Sequence, residues 1–247
     1  MQIKKLKSNT VKSTADALFF AAHPDDAELN CGGTILSLIA SGKSVGIVDL
    51  TLGELSTRGN LKLRKKETDK ASSLLGINFR ENLKIADGNI EINNANKIKL
   101  IRVIRKYKPE IIFAPYPSDR HPDHINASDL IRESFFYSGL GKIKTGDLNP
   151  YRPSKIYYYR NAVDMPVSFI FDISKTFSKK LQVMQCYDSQ FYNSESKEPQ
   201  TFISSKLFEK EVEARARHFG FKIGAEYGEP FYSDSDLKIE SDTLFRL

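Results

Sequence analysis

An apolar run that ends abruptly in histidine and carboxylates sets the tightest limit on how this chain can fold. Ala17-Leu18-Phe19-Phe20-Ala21-Ala22 is followed at once by His23-Pro24-Asp25-Asp26, then by Cys31-Gly32-Gly33-Thr34 and a helical stretch. Residues 16 to 22 read as a buried strand, because a short apolar run without polar alternation belongs in a sheet covered on both faces. Gly32-Gly33-Thr34 opens a helix through about Ala40. Ser41-Gly42-Lys43 ends it, with Gly42 suited to the left-handed conformation behind the last turn. Ser44 to Leu50 is then a second strand. A strand, a helix and a strand at this spacing form a βαβ unit, so the strands run parallel with a right-handed crossover. Sheets of this kind keep their ligands at the carboxyl ends of strands, which is where His23, Asp25 and Asp26 stand.

The pattern recurs downstream, where Ile111-Ile112-Phe113-Ala114 precedes Arg120-His121-Pro122-Asp123-His124. If both runs are parallel strands of one sheet, both histidine clusters share one edge. Between them lie a polar loop from Thr51 to Asn60, a helix from about Leu61 to Leu75, a short strand at residues 82 to 86 and a turn at Asp87-Gly88-Asn89. An amphipathic helix from Asn96 to Lys106 follows, stopped by Pro109, and then a strand from Glu110 to Ala114. Further on, Ile125 to Tyr137 reads as a helix and Lys142 to Pro153 as a loop. Lys155 to Tyr159 and Ser168 to Ile173 read as strands, and roughly Lys175 to Tyr187 and Ser204 to Phe219 as helices. Gly224 to Phe231 reads as a loop-like tail. The whole is an α/β chain with a mostly parallel sheet, expected as one domain over residues 15–247 behind a flexible basic arm at 1–14.

Composition removes several classes. With 247 residues, 40% of them hydrophobic and 28% charged, the chain has ample core. It has no stretch of transmembrane length and no signal-peptide core, so no membrane partner is expected. Cys31 and Cys186 lie far apart and outline no disulfide framework, which fits a reducing cytoplasm. The net charge of +6 is spread along the chain without a basic block. That pattern is a solvated surface or an attraction for a small anionic substrate, and not a nucleic-acid footprint.

His23, Asp26 and His124 make a two-histidine, one-carboxylate set. It suits catalytic zinc with a position open for water, and also ferrous iron or manganese. In a His-Pro-Asp-Asp turn the two aspartates cannot point the same way. We assign Asp26 to the metal and Asp25 to its water, as general base. A metal lowers the pKa of such a water to ~7. His121, one turn from His124, can face the same cavity and stabilise an oxyanion, with Asp123 orienting it and keeping it protonated. The plainer alternatives are a turn whose aspartates cap the next helix, and a His121 that only orients another ligand. Arg58 and Arg64, beside the loop after the second strand, can clamp a substrate carboxylate; the alternative is surface arginines, with Arg64 paired to Glu67. Cys31-Gly32-Gly33 lacks the full Gly-x-Gly-x-x-Gly fingerprint, so it does not signal a dinucleotide site, and Cys31 reads as a buried, inert thiol.

His23-Pro24-Asp25-Asp26-Ala27-Glu28, Cys31-Gly32-Gly33-Thr34 and His121-Pro122-Asp123-His124 resemble the PIG-L/LmbE-like family of zinc-dependent N-deacetylases. The resemblance implies a Rossmann-like three-layer α/β fold and removal of acetyl groups from N-acetylglucosamine-containing substrates. It also implies zinc at His23, Asp26 and His124, Asp25 as general base, and His121 at the tetrahedral intermediate. Leu50-Thr51-Leu52-Gly53-Glu54-Leu55-Ser56, Pro117-Ser118-Asp119-Arg120, Tyr187-Asp188-Ser189-Gln190-Phe191 and Gly224-Ala225-Glu226-Tyr227 resemble the branch that deacetylates N-acetylglucosaminyl-malate in bacillithiol biosynthesis. That branch implies an anionic sugar conjugate as substrate, malyl carboxylates for Arg58 or Arg64 to bind, and a homo-oligomer, by resemblance a hexamer. The same chemistry on an inositol conjugate or another amino sugar is an alternative. A non-catalytic metal- or nucleotide-binding protein is another, and it would need neither Asp25 nor His121.

Overall fold

The computed structural model describes residues 14–241; of the expected N-terminal arm, all but Thr14 lies outside the described residues. β1 (Ala17–Ala21), β2 (Val45–Asp49), β3 (Phe79–Asn82), β4 (Ile111–Pro115) and β5 (Lys155–Tyr159) form the parallel part of the sheet. β6 (Phe169–Asp172) and β7 (Gly228–Tyr232) complete it. The strand order is β3-β2-β1-β4-β5-β7-β6. β1 pairs in parallel with β2 on one side and β4 on the other. The chain therefore walks outward from β1 to β3 and then returns to the far side of β1. That reversal is a switch point, and a crevice opens at the carboxyl ends of the two strands that straddle it.

Both faces of the sheet are covered. Leu18, Phe19 and Phe20 are fully buried and alternate between the two cores. Phe19 joins Ile35, Val45, Val183 and Phe231 on the face covered by α1 (Asp26–Ala40), α2 (Leu61–Leu75), α5 (Phe177–Met184) and α6 (Lys206–Lys222). Leu18 and Phe20 join Leu100, Ile104, Leu130 and Ile131 under α3 (Asn94–Tyr107) and α4 (Pro122–Ser138). The result is three layers, helices on both sides of a mostly parallel sheet.

Three elements depart from the reading of the sequence. The first helix starts at Asp26, not at Gly32. Asp25, at φ 123°, turns the chain straight from strand into helix, so the glycine pair is interior. A Cβ on Gly33 would lie 2.7 Å from the Ile173 side chain, so glycine here allows a close approach and does not mark a helix start. The third strand is Phe79–Asn82, where 82 to 86 was expected. Its Phe79 ring lies over Gly46 of β2, a fit that glycine alone permits. The expected loop from Gly224 to Phe231 runs into β7, which is antiparallel to both β5 and β6. Its Pro230 lies one residue past the last β5 pair, Tyr159 with Phe231, so the missing proline N–H leaves no gap in that ladder.

Candidate active site

The two histidine clusters meet at the switch point. β1 delivers His23 and Asp26 at its carboxyl end, and β4 delivers His121 and His124 at the start of α4. The Asp26 carboxylate lies between the imidazoles, with Oδ2 3.6 Å from His23 Nδ1 and Oδ1 3.3 Å from His124 Nε2. One ligand atom from each of the three lies within 4.8 Å of the others. Asp26 is held there by the His23 backbone N–H, which donates to Oδ2 at 2.9 Å.

The far nitrogen of each histidine faces a carboxylate. His23 Nε2 lies 3.1 Å from Asp87 Oδ1 and 3.4 Å from Asp123 Oδ2. His124 Nδ1 lies 3.3 Å from Asp119 Oδ1, though off the angle of a good hydrogen bond. Such outer carboxylates fix the tautomer of a metal-binding imidazole and raise its basicity. Burial pulls the pKa of His23 down, but Asp123, Asp26 and Asp87 outweigh it and hold the ring well above its ordinary value. His124, likewise opposed by burial, is pushed up to about 9 by Asp26 and Asp119. Burial works against Asp26 too, yet the two histidines keep its carboxyl well below the usual range. The surrounding carboxylates offset the burial of both imidazoles, and two imidazole nitrogens with one carboxylate oxygen match by ligand type the donors that suit a divalent ion, which binds the neutral form of the rings.

Asp25 points the other way, as a His-Pro-Asp-Asp turn requires. It is the N-cap residue of α1 but makes no side-chain cap. Its carboxylate instead lies 3.1 Å from Arg64 Nη1, both groups being buried. A non-glycine residue at this φ costs on the order of 1–3 kcal/mol, and the turn spends it on aiming two adjacent carboxylates apart. Burial raises the Asp25 carboxyl to about 7, against the restraining charge of Arg64.

His121 is the N-cap of α4, and its Nδ1 accepts the Asp123 backbone N–H at 3.2 Å. That bond leaves Nδ1 without a proton and puts the proton of the neutral ring on Nε2. The expected orientation of His121 by the Asp123 side chain is not what forms. The Asp123 carboxylate turns to His23 and accepts the Gly88 N–H at 2.7 Å. Burial and the neighbouring His124 and His23 lower the His121 pKa, so it is held neutral where a protonated ring was expected. Its ring stacks on His124 with centroids 4.8 Å apart.

These groups line a cavity of about 450 Å³. Arg64 lies in its wall, engaged with Asp25, and donates to Ser56 Oγ at 3.3 Å. Arg58 does not line it. The side chain is buried away from the cavity, with Nη2 donating to Ser196 Oγ at 2.6 Å and Nε lying 3.6 Å from Glu198. The expectation that Arg58 meets substrate is thus corrected: positive φ at Gly53 and Gly59 turns the loop so that Arg58 points inward. Three cavity residues escaped the reading of the sequence. Asp87 sits in an Asp-Gly dipeptide that signals only a turn. Arg120 was visible only as part of a resembling stretch; its guanidinium lies 3.9 Å over the Phe202 ring and has no ion-pair partner among the described residues. Phe202, 55% exposed, comes from a segment without a motif. Cys31 is buried with its thiol pKa raised by burial, the inert thiol expected. Among the described residues no helix is long and apolar enough to cross a membrane.

A three-layer fold whose sheet presents a His-Asp-His donor set and a separate buried carboxylate at its switch point defines an α/β protein with a metal-competent polar cavity there. Comparison with known proteins narrows that class. The family described as PIG-L, GlcNAc-PI de-N-acetylase, matches residues 18–135, which hold both histidine clusters. The diacetylchitobiose deacetylase of Thermococcus kodakarensis is 32% identical over 184 residues, 68% of this chain and 67% of the relative. A probable N-acetyl-alpha-D-glucosaminyl L-malate deacetylase 2 of Bacillus anthracis is 24% identical over 194 residues, 73% of this chain and 84% of the relative. The crystal structure of a conserved protein from Thermus thermophilus, TT1542, matches with a TM-score of 0.82 at 35% identity, covering 92% of this chain and 98% of that one. The chain belongs to the PIG-L family of de-N-acetylases.

Proposed function

We propose that the protein hydrolyses the acetamide of an N-acetylglucosamine conjugate, with N-acetylglucosaminyl-malate as its substrate in bacillithiol biosynthesis. The observation that carries the reaction is a buried carboxylate, Asp25, held by Arg64 beside a separate His23, Asp26, His124 donor set on one cavity. A binding protein needs only the donor set. Those three residues would hold the ion, which we take to be zinc, with ferrous iron or manganese suited to the same donors. When bound, a divalent ion there supplies a Lewis acid and makes a water acidic enough to react near neutral pH.

The protein's own groups manage the protons. Asp25, with its pKa raised to about 7, takes a proton from the attacking water as the oxygen joins the acetyl carbon. It returns that proton to the amide nitrogen as the carbon–nitrogen bond breaks, leaving acetate and a free amine. Arg64 keeps the carboxylate aimed and limits how far burial neutralises it. His121, neutral with its proton on Nε2, donates to the carbonyl oxygen as negative charge develops there.

The malyl end of the substrate is supported by Arg120. It is an exposed guanidinium lining the cavity without a carboxylate partner among the described residues, and so takes the role expected of Arg58 or Arg64, the one turned away from the cavity and the other engaged with Asp25. A cytoplasmic setting belongs to the same proposal and is supported by two cysteines that are free and buried. The test is acetate release by zinc-loaded protein from N-acetylglucosaminyl-malate, N,N′-diacetylchitobiose and N-acetylglucosamine. Preference for the malate conjugate, lost in Arg120→Ala, is the expected result. Preference for the disaccharide would keep the reaction and discard the malate. No release from any of the three would end the deacetylase reading.

A further inference from the structure

Residues 185–205, between α5 and α6, carry no helix or strand. An irregular connection of this length inside a compact fold usually serves a site. Part of it does so directly, since Thr201, Phe202 and Ile203 line the catalytic cavity. Its other part is fastened to the loop after β2. Arg58 is the centre of that fastening, with Nη2 donating to Ser196 Oγ at 2.6 Å and Nη1 to the Phe191 carbonyl at 3.5 Å. Glu198 lies 3.6 Å from Arg58 Nε and accepts the Gly59 N–H at 3.0 and 3.1 Å. Gln190 closes the loop from beneath by donating to the Arg58 carbonyl at 3.0 Å. The conformation at Gly59, φ 74°, admits no side chain, because a Cβ there would lie 2.9 Å from Ser189.

We propose that residues 192–204 form a strap that makes the outer wall of the cavity, and that Arg58 is the positioning residue that pins it. Phe202 is the working end of the strap. It carries the Arg120 guanidinium on its ring at 3.9 Å and packs edge-on against Phe208 at 5.4 Å. This wall lines the same cavity as the Asp25–Arg64 pair but contributes neither that pair nor any of His23, Asp26 and His124, so we assign to it the part of a substrate beyond its N-acetylated ring. Arg58 therefore governs how well extended conjugates bind, through Ser196, Glu198, Phe202 and Arg120, and leaves the chemical step alone. A buried guanidinium that had only to fill space would show no such selectivity. The inference about substrate rests on the deacetylase reading, whereas the pinning of the strap does not.

The experiment compares wild type, Arg58→Met, Arg58→Lys and the double variant Ser196→Ala/Glu198→Gln, which spares Arg58 itself and guards against a folding defect in Arg58→Met. Two readouts are taken. The first is kcat and KM on N-acetylglucosamine and on the extended substrates N-acetylglucosaminyl-malate and N,N′-diacetylchitobiose. Arg58→Met and the double variant should raise KM for the extended substrate at least tenfold, with kcat unchanged and N-acetylglucosamine turnover within a factor of three. Arg58→Lys should recover part of the loss. Equal losses on short and extended substrates, or a fall in kcat alone, would overturn the proposal. The second readout is tryptic cleavage of the native protein after Lys197, an exposed strap residue. It should accelerate at least tenfold in both variants, and an unchanged rate would overturn the pinning. If wild type releases no acetate from any substrate, the deacetylase reading fails by itself and the cleavage rate still decides whether Arg58 pins the strap.

Discussion

Asp25 and Asp26 are neighbours in sequence with opposite assignments, and substitution should separate them. Asp25→Asn should keep the metal and lose activity by about 10²- to 10⁴-fold, the range for a general base; metal analysis beside acetate release checks both halves. Loss of the metal in that variant would mean the two aspartates have been exchanged. His124→Ala should lose the metal outright, and undiminished metal content would remove it from the donor set. Asp87→Asn should weaken metal affinity by about 10- to 100-fold, as for other carboxylates that hold a metal-bound imidazole, and competition with a chelator measures it. At this scale the sequence was informative where chemistry clusters. His23, Asp25, Asp26, His121 and His124 stand out because histidines and carboxylates behind apolar strands have few other uses. Arg58 and Arg64 could not be told apart, because the backbone conformations at Gly53 and Gly59 decide which arginine faces the cavity. Asp123 was expected to orient His121, two residues before it, but its carboxylate faces His23 instead.

The elements tell a similar story. β1, α1, β2 and α4 follow from hydrophobic runs and their punctuation, and α2 ends where Gly76, at φ 78°, takes the left-handed cap. The start of α1 was misread because Gly32-Gly33 imitates a helix opening. Its real role is to let Ile173 and Lys180 approach. Gly33→Ala should therefore destabilise by about 1–3 kcal/mol despite the better helix propensity of alanine, and pairing it with Ile173→Val should recover part of the loss in a thermal melt. β7 was missed because Gly228-Glu229-Pro230 has turn composition and a buried charge. Glu229 explains itself only in three dimensions. It accepts Lys180 Nζ at 2.7 Å, the Gly33 and Thr34 N–H groups at 3.0 and 2.8 Å, and Thr34 Oγ1 at 2.6 Å, tying β7 and α5 to α1. Glu229→Gln would strand the Lys180 charge in the interior. A loss of about 3–5 kcal/mol in denaturant unfolding is expected, and replacing Lys180 with Met in the same chain should relieve much of it.

At the scale of the whole molecule, one βαβ unit and a second apolar run ending in histidines sufficed to foresee a parallel sheet, and the strand order β3-β2-β1-β4-β5 puts both histidine clusters at one switch point. Assembly is foreseen only by resemblance. A homo-oligomer, six chains of 28.0 kDa, is the proposal, and light scattering of the intact protein decides it, a mass of one chain being the result against it. The antiparallel end of the sheet has a consequence for biosynthesis. β6 has one neighbour, β7, and β7 also closes against β5. A nascent chain can thus lay down its parallel strands in the order they are made, but β6 must wait for residues 228–232. Through that interval its aromatic residues and those of β5 lie against an unfilled slot, a template for a strand from another chain. The switch-point edge is encoded early in the chain, while the strand that fills the slot between β5 and β6 arrives from far along it.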